Sequence, residues 1–449
     1  MSNIVTAIDI GSSKVVAIIA VLDDDKIKVI GEATYPSYGI RKGEITSIDE
    51  AINSIASALN GAERMAGLTV SSAYVSINGK NIISNNNKGV VAVSDAEIAE
   101  DDVLRALGQA RTVAIPPGRD IIHLLPREFI IDQQSGIKVP IGMTGTRLEV
   151  DAHIISAPTT AIHNLEKCIQ RIGLRIDGIV FTGWASAQSV LTSTEKELGV
   201  LLLDFGGGTV SVTTFVEDAV TYSTSIPFGG SNVTRDLAAG LRLSQLEDAE
   251  KIKIHAEELF KKADSRNSLD DADNKTALER KKSSNNEKDS KEKKEKKEPV
   301  KSDVLDVTDL NIEGVKTISR KLFTEIIEAR VTEIFELVKE DIEQSGNEYK
   351  LPAGIIITGG SANLPNITQL AKDVFGVPAR VGVPRGLEGL TDGISGSAYA
   401  AAQGLILYGV KDEGFNDASP RKPKAGNSYK QGGLFGKVVD FFKGLVPNG

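Results

Sequence analysis

Cysteine, histidine and tryptophan are scarce in this chain, and their scarcity excludes several kinds of site. The 449 residues include one cysteine, Cys168, which rules out an intramolecular disulfide and a cysteine-rich metal centre. The histidines are too far apart in sequence to suggest a metal cluster; they are His123, His153, His163 and His255. No Ser-His-Asp or paired-carboxylate spacing is evident either, so catalysis by those groups is not predicted.

The chain also lacks long apolar runs. No stretch reaches the roughly 20 apolar residues that a membrane-spanning helix requires. The N-terminus runs straight into a predicted strand, with no basic and then apolar leader, so we expect a cytoplasmic location. With 41% hydrophobic and 25% charged residues, the chain can build two sizeable globular lobes and some disordered polar sequence.

Positive charge is in deficit. The formal net charge is −9 and the isoelectric point is about 5.3. The molecule as a whole therefore has no general electrostatic attraction for nucleic acid, and we expect no nucleic-acid partner.

What the sequence does contain is one glycine-rich pattern in two copies. Residues 4–14 and 200–209 are each an apolar strand ending in Asp-x-Gly, followed by small residues and a second β-rich run. This pattern is typical of a β-hairpin with a glycine-rich turn. We call residues 11–14 the first turn and residues 206–209 the second turn. Two such turns facing each other can hold the phosphates of a nucleotide from both sides.

The residue types in the two turns suit this chemistry. Small residues let backbone N–H groups approach phosphate oxygens, and the aspartate before each turn can hold a hydrated Mg²⁺. The predicted phosphate-binding residues are Gly11, Ser12, Ser13 and Lys14 in the first turn and Gly206, Gly207, Gly208 and Thr209 in the second. The predicted magnesium-binding residues, which act through water, are Asp9 and Asp204.

A third motif follows late in the chain. A β-branched strand ends in Thr358, and Gly359, Gly360 and Ser361 come directly after it. The missing side chains at the two glycines allow a flat adenosine to lie against the backbone. A lone Asp-x-Gly turn is most often only a turn. Three motifs in order, two of them heading similar units, favour nucleotide binding.

The strand pattern is repeated as well. Three consecutive strands are predicted in each half, and a helix follows each set; the strands are 4–10, 14–22 and 27–35, then 198–204, 209–215 and 219–227. Further helices are predicted over residues 246–260 and 319–342. Another is predicted to start at Ser94, where Ser94 and Glu97 match a capping box.

Two polar stretches fall outside the globular pattern. Residues 261–303 are almost entirely Lys, Glu, Asp, Ser and Asn, with no apolar face to bury, so a disordered insertion is predicted. Residues 411–431 are rich in Gly, Pro, Asn, Ser and Lys and are predicted to form a flexible tether.

The tether leads to an amphipathic segment, residues 432–446. Its apolar residues fall in one sector of a helix, and they are Leu434, Phe435, Val438, Val439, Phe441, Phe442, Leu445 and Val446. Docking on the protein's own core is one interpretation. The isolating tether, the bulky phenylalanines and the lysines of the polar face favour a helix that lies in a membrane surface. One copy should bind weakly, so several linked copies would be needed for stable attachment.

The order of these motifs resembles the actin, Hsp70 and sugar-kinase superfold. The stretches that carry the resemblance are residues 8–14, 203–209 and 357–361. Residues 38–45 and 141–150, together with the tethered terminal helix, narrow it to the FtsA family of bacterial cell-division proteins. The similarity covers residues 1 to about 260 and about 304 to 408.

The resemblance implies an α/β, actin-like two-lobed fold with duplicated RNase H-like sheets and an extra FtsA-type subdomain. It implies ATP and Mg²⁺ bound between the lobes, and filaments that form on the cytoplasmic face of the cell membrane at the division site. The implied partners are further copies of the chain, the C-terminal tail of the tubulin-like FtsZ, later division proteins and the lipid surface.

The same resemblance divides the chain into parts. In the family's terms these are 1–81 (subdomain 1A), 82–160 (subdomain 1C), 161–197 (1A again), 198–228 (2A), 229–350 (2B with the insertion 261–303), 351–410 (adenosine motif and closing helix), 411–431 (linker) and 432–446 (membrane-targeting helix).

Two further positions carry expectations from the resemblance. Glu250 and Lys253 match a helix that reaches the nucleoside, although both could be ordinary solvated helix residues. Thr182 falls where related proteins often have a glutamate that positions the attacking water, and a threonine cannot act as a carboxylate base. At most weak ATPase activity is therefore expected, and no catalytic residue is predicted.

Other members of the superfold remain open at this point. A small-molecule kinase would need a substrate pocket beside the terminal phosphate and no membrane helix. An Hsp70-like chaperone would need a peptide-binding β-domain after the second lobe. A homologue of the pilus-assembly protein PilM would leave the terminal helix unexplained.

Overall fold

The computed structural model describes residues 3–23, 26–112, 115–265, 303–346 and 351–414. The described residues form two compact units. The first holds residues up to Gly230, those of 334–362 and those from Ala371 onward, and the second holds residues 231–333 and 363–370. The predicted tether beyond residue 414 and the amphipathic segment 432–446, with Leu434, Phe435, Val438, Val439, Phe441, Phe442, Leu445 and Val446, lie outside the described residues.

A six-stranded sheet carries the first glycine-rich turn, in the strand order β11-β6-β1-β2-β3-β19. Its strands are β1 (Asn3–Ile10), β2 (Lys14–Asp23), β3 (Lys26–Pro36), β6 (Ser72–Ile77), β11 (Arg175–Phe181) and β19 (Glu388–Gly389). The strands β1, β2 and β3 are antiparallel neighbours, and β6 runs parallel to β1.

A five-stranded sheet repeats this arrangement around the second turn, in the order β14-β13-β12-β17-β18. Its strands are β12 (Val200–Phe205), β13 (Val210–Val216), β14 (Ala219–Ile226), β17 (Ile355–Thr358) and β18 (Ala379–Val381). Again three strands are antiparallel, and β17 runs parallel to the first of them. The predicted duplication is confirmed.

Helices cover both faces of the six-stranded sheet because its central strands are apolar on both sides. In β1, Ile8 and Ile10 belong to one buried cluster while Val5 and Ala7 belong to another, as the two-residue period of a strand requires. Helices α1 (Ile48–Ala66) and α3 (Thr159–Arg171) pack in the first cluster, and α4 (Thr182–Val190) and α11 (Ala400–Gly414) contribute to the second.

A four-stranded sheet is inserted between β6 and α3, in the order β7-β10-β8-β9. Its elements are β7 (Ile83–Ala92), α2 (Glu100–Arg111), β8 (Arg119–Ile131), β9 (Gln134–Ile137) and β10 (Arg147–Pro158). The sheet and α2 share their own apolar cluster, which includes Val103, Leu107, Phe129 and Val150. Gly89 lets α2 approach, since a Cβ there would lie 1.9 Å from the carbonyl oxygen of Ala106.

The capping box predicted at Ser94 and Glu97 is wrong. Helix α2 begins at Glu100, and the Asp102 carboxylate accepts a hydrogen bond from the backbone N–H of Ala99 at 2.9 Å. Glu97 instead forms an isolated bridge with Thr144. Ala99 has no side chain that could cap the helix, so only the carboxylate half of a capping box is present, from Asp102.

Polar side chains of the inserted sheet cover the outer strand β14. The Ser84 hydroxyl accepts from the Ser223 N–H at 2.9 Å, and the Asn86 amide donates to the Thr221 carbonyl at 3.0 Å. His153 lies between Asn86 and Ser223, with its Nδ1 2.6 Å from Asn86 Oδ1 and its Nε2 3.0 Å from Ser223 Oγ. Burial lowers the pKa of His153 to about 3, so the imidazole is neutral at ordinary pH. His153 is thus a buried, hydrogen-bonded residue of this contact.

The second unit is mainly helical. Its elements are α6 (Gly230–Gly240), α7 (Leu246–Ile254), α8 (residues 256–265), β15 (Val304–Asp306), β16 (Thr317–Ser319) and the beginning of α9 (Arg320–Gln344). The helix predicted over 246–260 is interrupted at His255. Residues 261–265, which the sequence places in the charged insertion, continue α8, and residues 266–302 lie outside the described residues.

The remaining strands and α-helices are short. They are β4 (Ile40–Arg41), β5 (Glu44–Ile45), α5 (Ser193–Leu198) and α10 (Ile367–Phe375). Within the described ranges, no helix is long and apolar enough to cross a bilayer.

Helices α4 and α11 cross closely because Gly404 has no side chain. A Cβ at Gly404 would lie 1.8 Å from the carbonyl oxygen of Ala185, a backbone atom that cannot rotate away. We expect Gly404→Ala to lower the free energy of unfolding by about 2 kcal/mol or more. Thermal unfolding followed by circular dichroism measures the loss. Gly396→Ala is the matched control, since a Cβ at Gly396 meets nothing within 4 Å. Equal stability of both variants would contradict the close crossing.

Candidate functional site

The two glycine-rich turns have the same backbone hydrogen bond. In the first turn, the Gly11 N–H donates to the Lys14 carbonyl at 3.0 Å, and in the second the Gly206 N–H donates to the Thr209 carbonyl at 2.9 Å. A Cβ would lie 2.8 Å from that carbonyl oxygen at Gly11 and 3.2 Å from it at Gly206. The tight turn therefore favours glycine at both positions, which is why the same pattern occurs twice in the sequence.

The turns pack against each other. A Cβ on Gly207 would lie 2.9 Å from the Ser13 Cβ, and one on Gly208 would lie 2.5 Å from the Ser12 hydroxyl oxygen. The glycines of the second turn thus pack directly against the small serine side chains of the first. Backbone N–H groups from both sheets are brought to one cleft.

Asp9 lies at the end of β1, behind the first turn. The Ser76 hydroxyl donates to Asp9 Oδ1 at 2.8 Å and itself accepts from the Ile10 N–H at 2.8 Å. Burial raises the pKa of Asp9, while the Ser76 hydrogen bond and the charge of Lys14 oppose that rise. The carboxylate is therefore held in a fixed orientation but is only partly compensated.

Asp204 occupies the equivalent position behind the second turn. It is 6% exposed, and the Ser186 hydroxyl donates to its Oδ2. The pKa of this carboxyl is raised to about 7, because burial and the negative charge of Asp9 together outweigh the opposing effects of the Ser186 hydrogen bond and Lys14. The two aspartates thus form a buried pair that lacks a full complement of positive charge.

Lys14 is a cation whose charge acts on both aspartates. Burial lowers its pKa to about 8, and the charges of Asp9 and Asp204 oppose the decrease. Its Nζ lies 3.4 Å from the centroid of the Tyr399 ring, which is a cation–π contact. The ammonium is therefore held beside the cleft by an aromatic face and not by a direct ion pair.

The third motif meets the start of the second turn. Gly359 has φ +86°, and a Cβ there would lie 2.5 Å from Asp204 Oδ1 and 2.6 Å from the Phe205 carbonyl oxygen. The Gly359 N–H donates to the Ser397 carbonyl at 3.1 Å, and the Ser361 hydroxyl donates to the Gly206 carbonyl at 3.1 Å. Glycine is needed at position 359 both for its conformation and for this approach.

The structure brings most of the predicted site residues together around one cleft. The predicted residues that line it are Asp9, Gly11, Ser12, Ser13, Lys14, Asp204, Gly206, Gly207, Gly208, Thr209, Gly359 and Gly360. Ser361 lies behind the second turn through its bond to Gly206.

Sequence reasoning missed several supporting residues. Asn78 follows β6 and donates to the hydroxyls of Thr209 at 3.0 Å and Ser211 at 2.8 Å, so it connects the two sheets at the cleft. Ser76 and Ser186 orient the aspartates, as described above. A polar residue at the end of β6, the strand parallel to β1, was the available signal for Asn78.

Glu250 and Lys253 lie on α7 in the second unit. The Lys253 ammonium donates to Glu250 Oε2 at 2.6 Å and to the Thr234 hydroxyl at 2.9 Å, and the same hydroxyl donates to Glu250. Burial lowers the pKa of Lys253. Both side chains are thus ordered by a polar cluster and are not simply solvated, and the predicted contact with a nucleoside stays a prediction.

Thr182 lines the cleft at the start of α4, and its hydroxyl donates to the Ile77 carbonyl at 3.2 Å. This position therefore holds a neutral, hydrogen-bonded side chain that cannot act as a carboxylate base. Within the described ranges, no group of three or more His, Cys, Asp or Glu residues could hold a metal ion by itself. Two carboxylates in the cleft suit Mg²⁺ when phosphate and water supply the other ligands.

Two family models match this chain. One, described as the SHS2 domain inserted in FtsA, matches residues 79–156, and the other, described as cell division protein FtsA, matches residues 201–404. The cell division protein FtsA of Pseudomonas aeruginosa is 36% identical over 413 residues, which cover 92% of this chain and 90% of that protein. The FtsA of Neisseria meningitidis is 34% identical, with 97% and 96% covered, and that of Escherichia coli K12 is 30% identical, with 94% and 93% covered.

Solved structures agree on the fold. A PilM-PilN type IV pilus biogenesis complex matches with a TM-score of 0.57 at 14% identity, covering 90% of this chain and 98% of that one. MreB 5 of Spiroplasma citri bound to AMPPNP matches with a TM-score of 0.50 at 13% identity, covering 93% and 99%. These likenesses confirm the predicted actin-like fold. The identity to curated relatives over nearly the whole chain decides the family: the chain belongs to the FtsA family of cell division proteins.

Proposed function

We propose that the cleft binds ATP with Mg²⁺ and that the protein uses the nucleotide to hold its lobes in a form that polymerises. The observation that carries this proposal is the pair of equivalent turns, each with an aspartate behind it, packed against each other across one cleft. MreB 5 of Spiroplasma citri, which has the same fold, is a protein whose structure contains AMPPNP.

Each group in the cleft has a defined task. The backbone N–H groups of the two turns and the ammonium of Lys14 bind phosphate oxygens. Gly359 and Gly360 offer a flat backbone surface to the adenine and ribose. Asp9 and Asp204 would hold the hydrated Mg²⁺, whose charge neutralises the phosphates and the two carboxylates.

The protonation of Asp204 is coupled to ligand binding. Its pKa of about 7 means that a substantial fraction of the carboxyl is protonated near neutral pH without ligand. A nearby dication favours the carboxylate, so the proton leaves to solvent when the metal–nucleotide complex binds. Affinity should therefore increase as the pH rises through 7.

Hydrolysis plays at most a minor part in this proposal. Thr182 cannot accept a proton from an attacking water as a glutamate could. Bound ATP then acts mainly as a structural ligand that stabilises the lobe arrangement by mass action.

We further propose that the terminal segment 432–446 places these filaments on the cytoplasmic face of the membrane at the division site. There they would bind the C-terminal tail of FtsZ and contact later division proteins. Membership of a cell-division family supports this role, and the apolar sector predicted for the segment supports membrane binding. Because one short helix binds weakly, polymerisation would make attachment stable. The same family membership sets aside a PilM homologue and a small-molecule kinase.

Asp9→Ala and Gly207→Glu are expected to weaken binding of Mg-ATP at least about tenfold. The first variant removes a magnesium-binding carboxylate, and the second puts a bulky anion where the turns touch. Isothermal calorimetry on the full chain measures the affinity. Asp23→Ala, at the exposed other end of β2, is the control and should bind as the wild type does. Unchanged affinity in Gly207→Glu would disprove the cleft assignment.

Asp204→Asn should stabilise the ligand-free protein and weaken its response to Mg-ATP. The folded pKa of about 7 lies above the ordinary value of 3.8, so the wild type loses stability as the pH rises through this interval. We expect the melting temperature of the variant to exceed that of the wild type by several degrees at pH 7.5 and by much less at pH 5. Scanning calorimetry at both pH values checks this. An advantage that is equal at both would contradict the raised pKa.

Removal of residues 415–449 should abolish sedimentation with anionic liposomes. The truncation leaves α11 intact, because that helix ends at Gly414. In the full chain, Phe441→Glu with Phe442→Glu should have the same effect, since both place a charge in the apolar sector. Lys437→Gln, on the polar face, should reduce binding only modestly. If the truncated and full chains sediment equally, the anchor proposal fails.

A further inference from the structure

A short hairpin brings one more cation to the cleft. Strands β4 and β5 are joined by two residues, Lys42 and Gly43, whose φ angles are +50° and +73°. Two positive φ values in a two-residue connection are the mark of a type I′ turn, which fixes the direction of the hairpin tip. The position of Lys42 is therefore set by the local backbone.

The tip of this hairpin contacts both glycine-rich turns. The Gly43 N–H donates to the Ser12 hydroxyl at 2.8 Å, and Gly43 lines the cleft. On the other side, a Cβ added to Gly208 would lie 3.1 Å from the Cα of Lys42. Lys42 thus starts within van der Waals distance of the end of the second turn, and its flexible four-carbon stem can reach a ligand held there.

The Lys42 ammonium makes a weak contact with an aromatic ring. The residue is exposed, and its Nζ lies 5.6 Å from the centroid of the Phe228 ring. A cation–π contact at an exposed position stabilises little, so a phosphate oxygen can displace it. Phe228 precedes Gly229, where a Cβ would lie 2.7 Å from the Gly207 carbonyl oxygen. The Phe228 residue that Lys42 contacts is therefore also beside the second turn.

The two ends of the second turn face different parts of the proposed ligand. Gly359 and Ser361 contact the start of the turn, at Asp204 and Gly206. Lys42 contacts its end, at Gly208. If the adenosine lay against Gly359, a phosphate chain held along the second turn would end beside Lys42.

We propose that Lys42 pairs with the terminal phosphate of the bound nucleoside triphosphate and thereby distinguishes it from the diphosphate. This inference rests on the nucleotide binding proposed above. Among the described residues that line the cleft, Lys14 is the only lysine or arginine. The negative charge of a triphosphate and two aspartates exceeds the positive charge of Lys14 and one Mg²⁺. A second ammonium, that of Lys42, would reduce this negative excess.

Calorimetric titration of the full chain with Mg-ATP and Mg-ADP tests the assignment. Lys42→Gln should weaken ATP binding about tenfold and change ADP binding by less than about twofold. Lys42→Arg keeps the charge and should retain most of the preference for ATP. Arg41→Gln removes a charge from the adjacent position of the same hairpin and should leave both affinities unchanged.

Each contrary result has its own meaning. An equal loss for ATP and ADP in Lys42→Gln, or no loss for either, overturns the pairing with the terminal phosphate while the proposed function stands. A wild type that binds neither nucleotide overturns the proposed function and the Lys42 assignment together. If thermal unfolding shows that Lys42→Gln is destabilised, Lys42→Asn replaces it, because asparagine tolerates a positive φ and lacks the cation.

Discussion

The cleft depends on one steric constraint, which is that two hairpin turns from different sheets meet with no side chain on the second turn at the contact. At Gly207 and Gly208 there is no space for a Cβ, because Ser13 and Ser12 of the opposite turn occupy it. Only this approach brings two sets of backbone N–H groups to the same ligand. It also explains why the charge of Asp9, behind the first turn, raises the pKa of Asp204, behind the second.

The same arrangement makes the ligand-free protein electrostatically incomplete. Within the described residues, Lys14 is the one cation that lowers the pKa of both buried carboxylates, and it is itself partly desolvated and lies over the Tyr399 ring. Neighbouring hydroxyls of Ser76 and Ser186 orient the carboxylates without neutralising them. These buried carboxylates thus lower the stability of the ligand-free protein at the site that a dication and phosphates would complete. This is common where function requires buried charge.

Local patterns predicted the strands, the turns and the three motifs, because both the alternation of apolar residues and the need for glycine depend on residues that are close in sequence. Asn78 could not be found this way, since its importance arises from the parallel pairing of β6 with β1 and from Thr209, far away in sequence. The wrong start of α2 has a similar origin. Ser94 and Glu97 match the local capping rule, but Glu97 is bridged to Thr144, far away in sequence, and the helix starts later with Asp102 bonded to the Ala99 N–H.

The polar cover over β14 has a consequence for assembly. An outer strand with unpaired backbone groups invites a strand from another molecule to add to the sheet. Ser84 accepts from the Ser223 N–H of this strand, and Asn86 donates to its Thr221 carbonyl. The neutral ring of His153 hydrogen-bonds to Asn86 and Ser223, so the contact contains no added charge. At this edge of the five-stranded sheet, addition of a strand from another molecule is therefore disfavoured, which removes one route to uncontrolled aggregation.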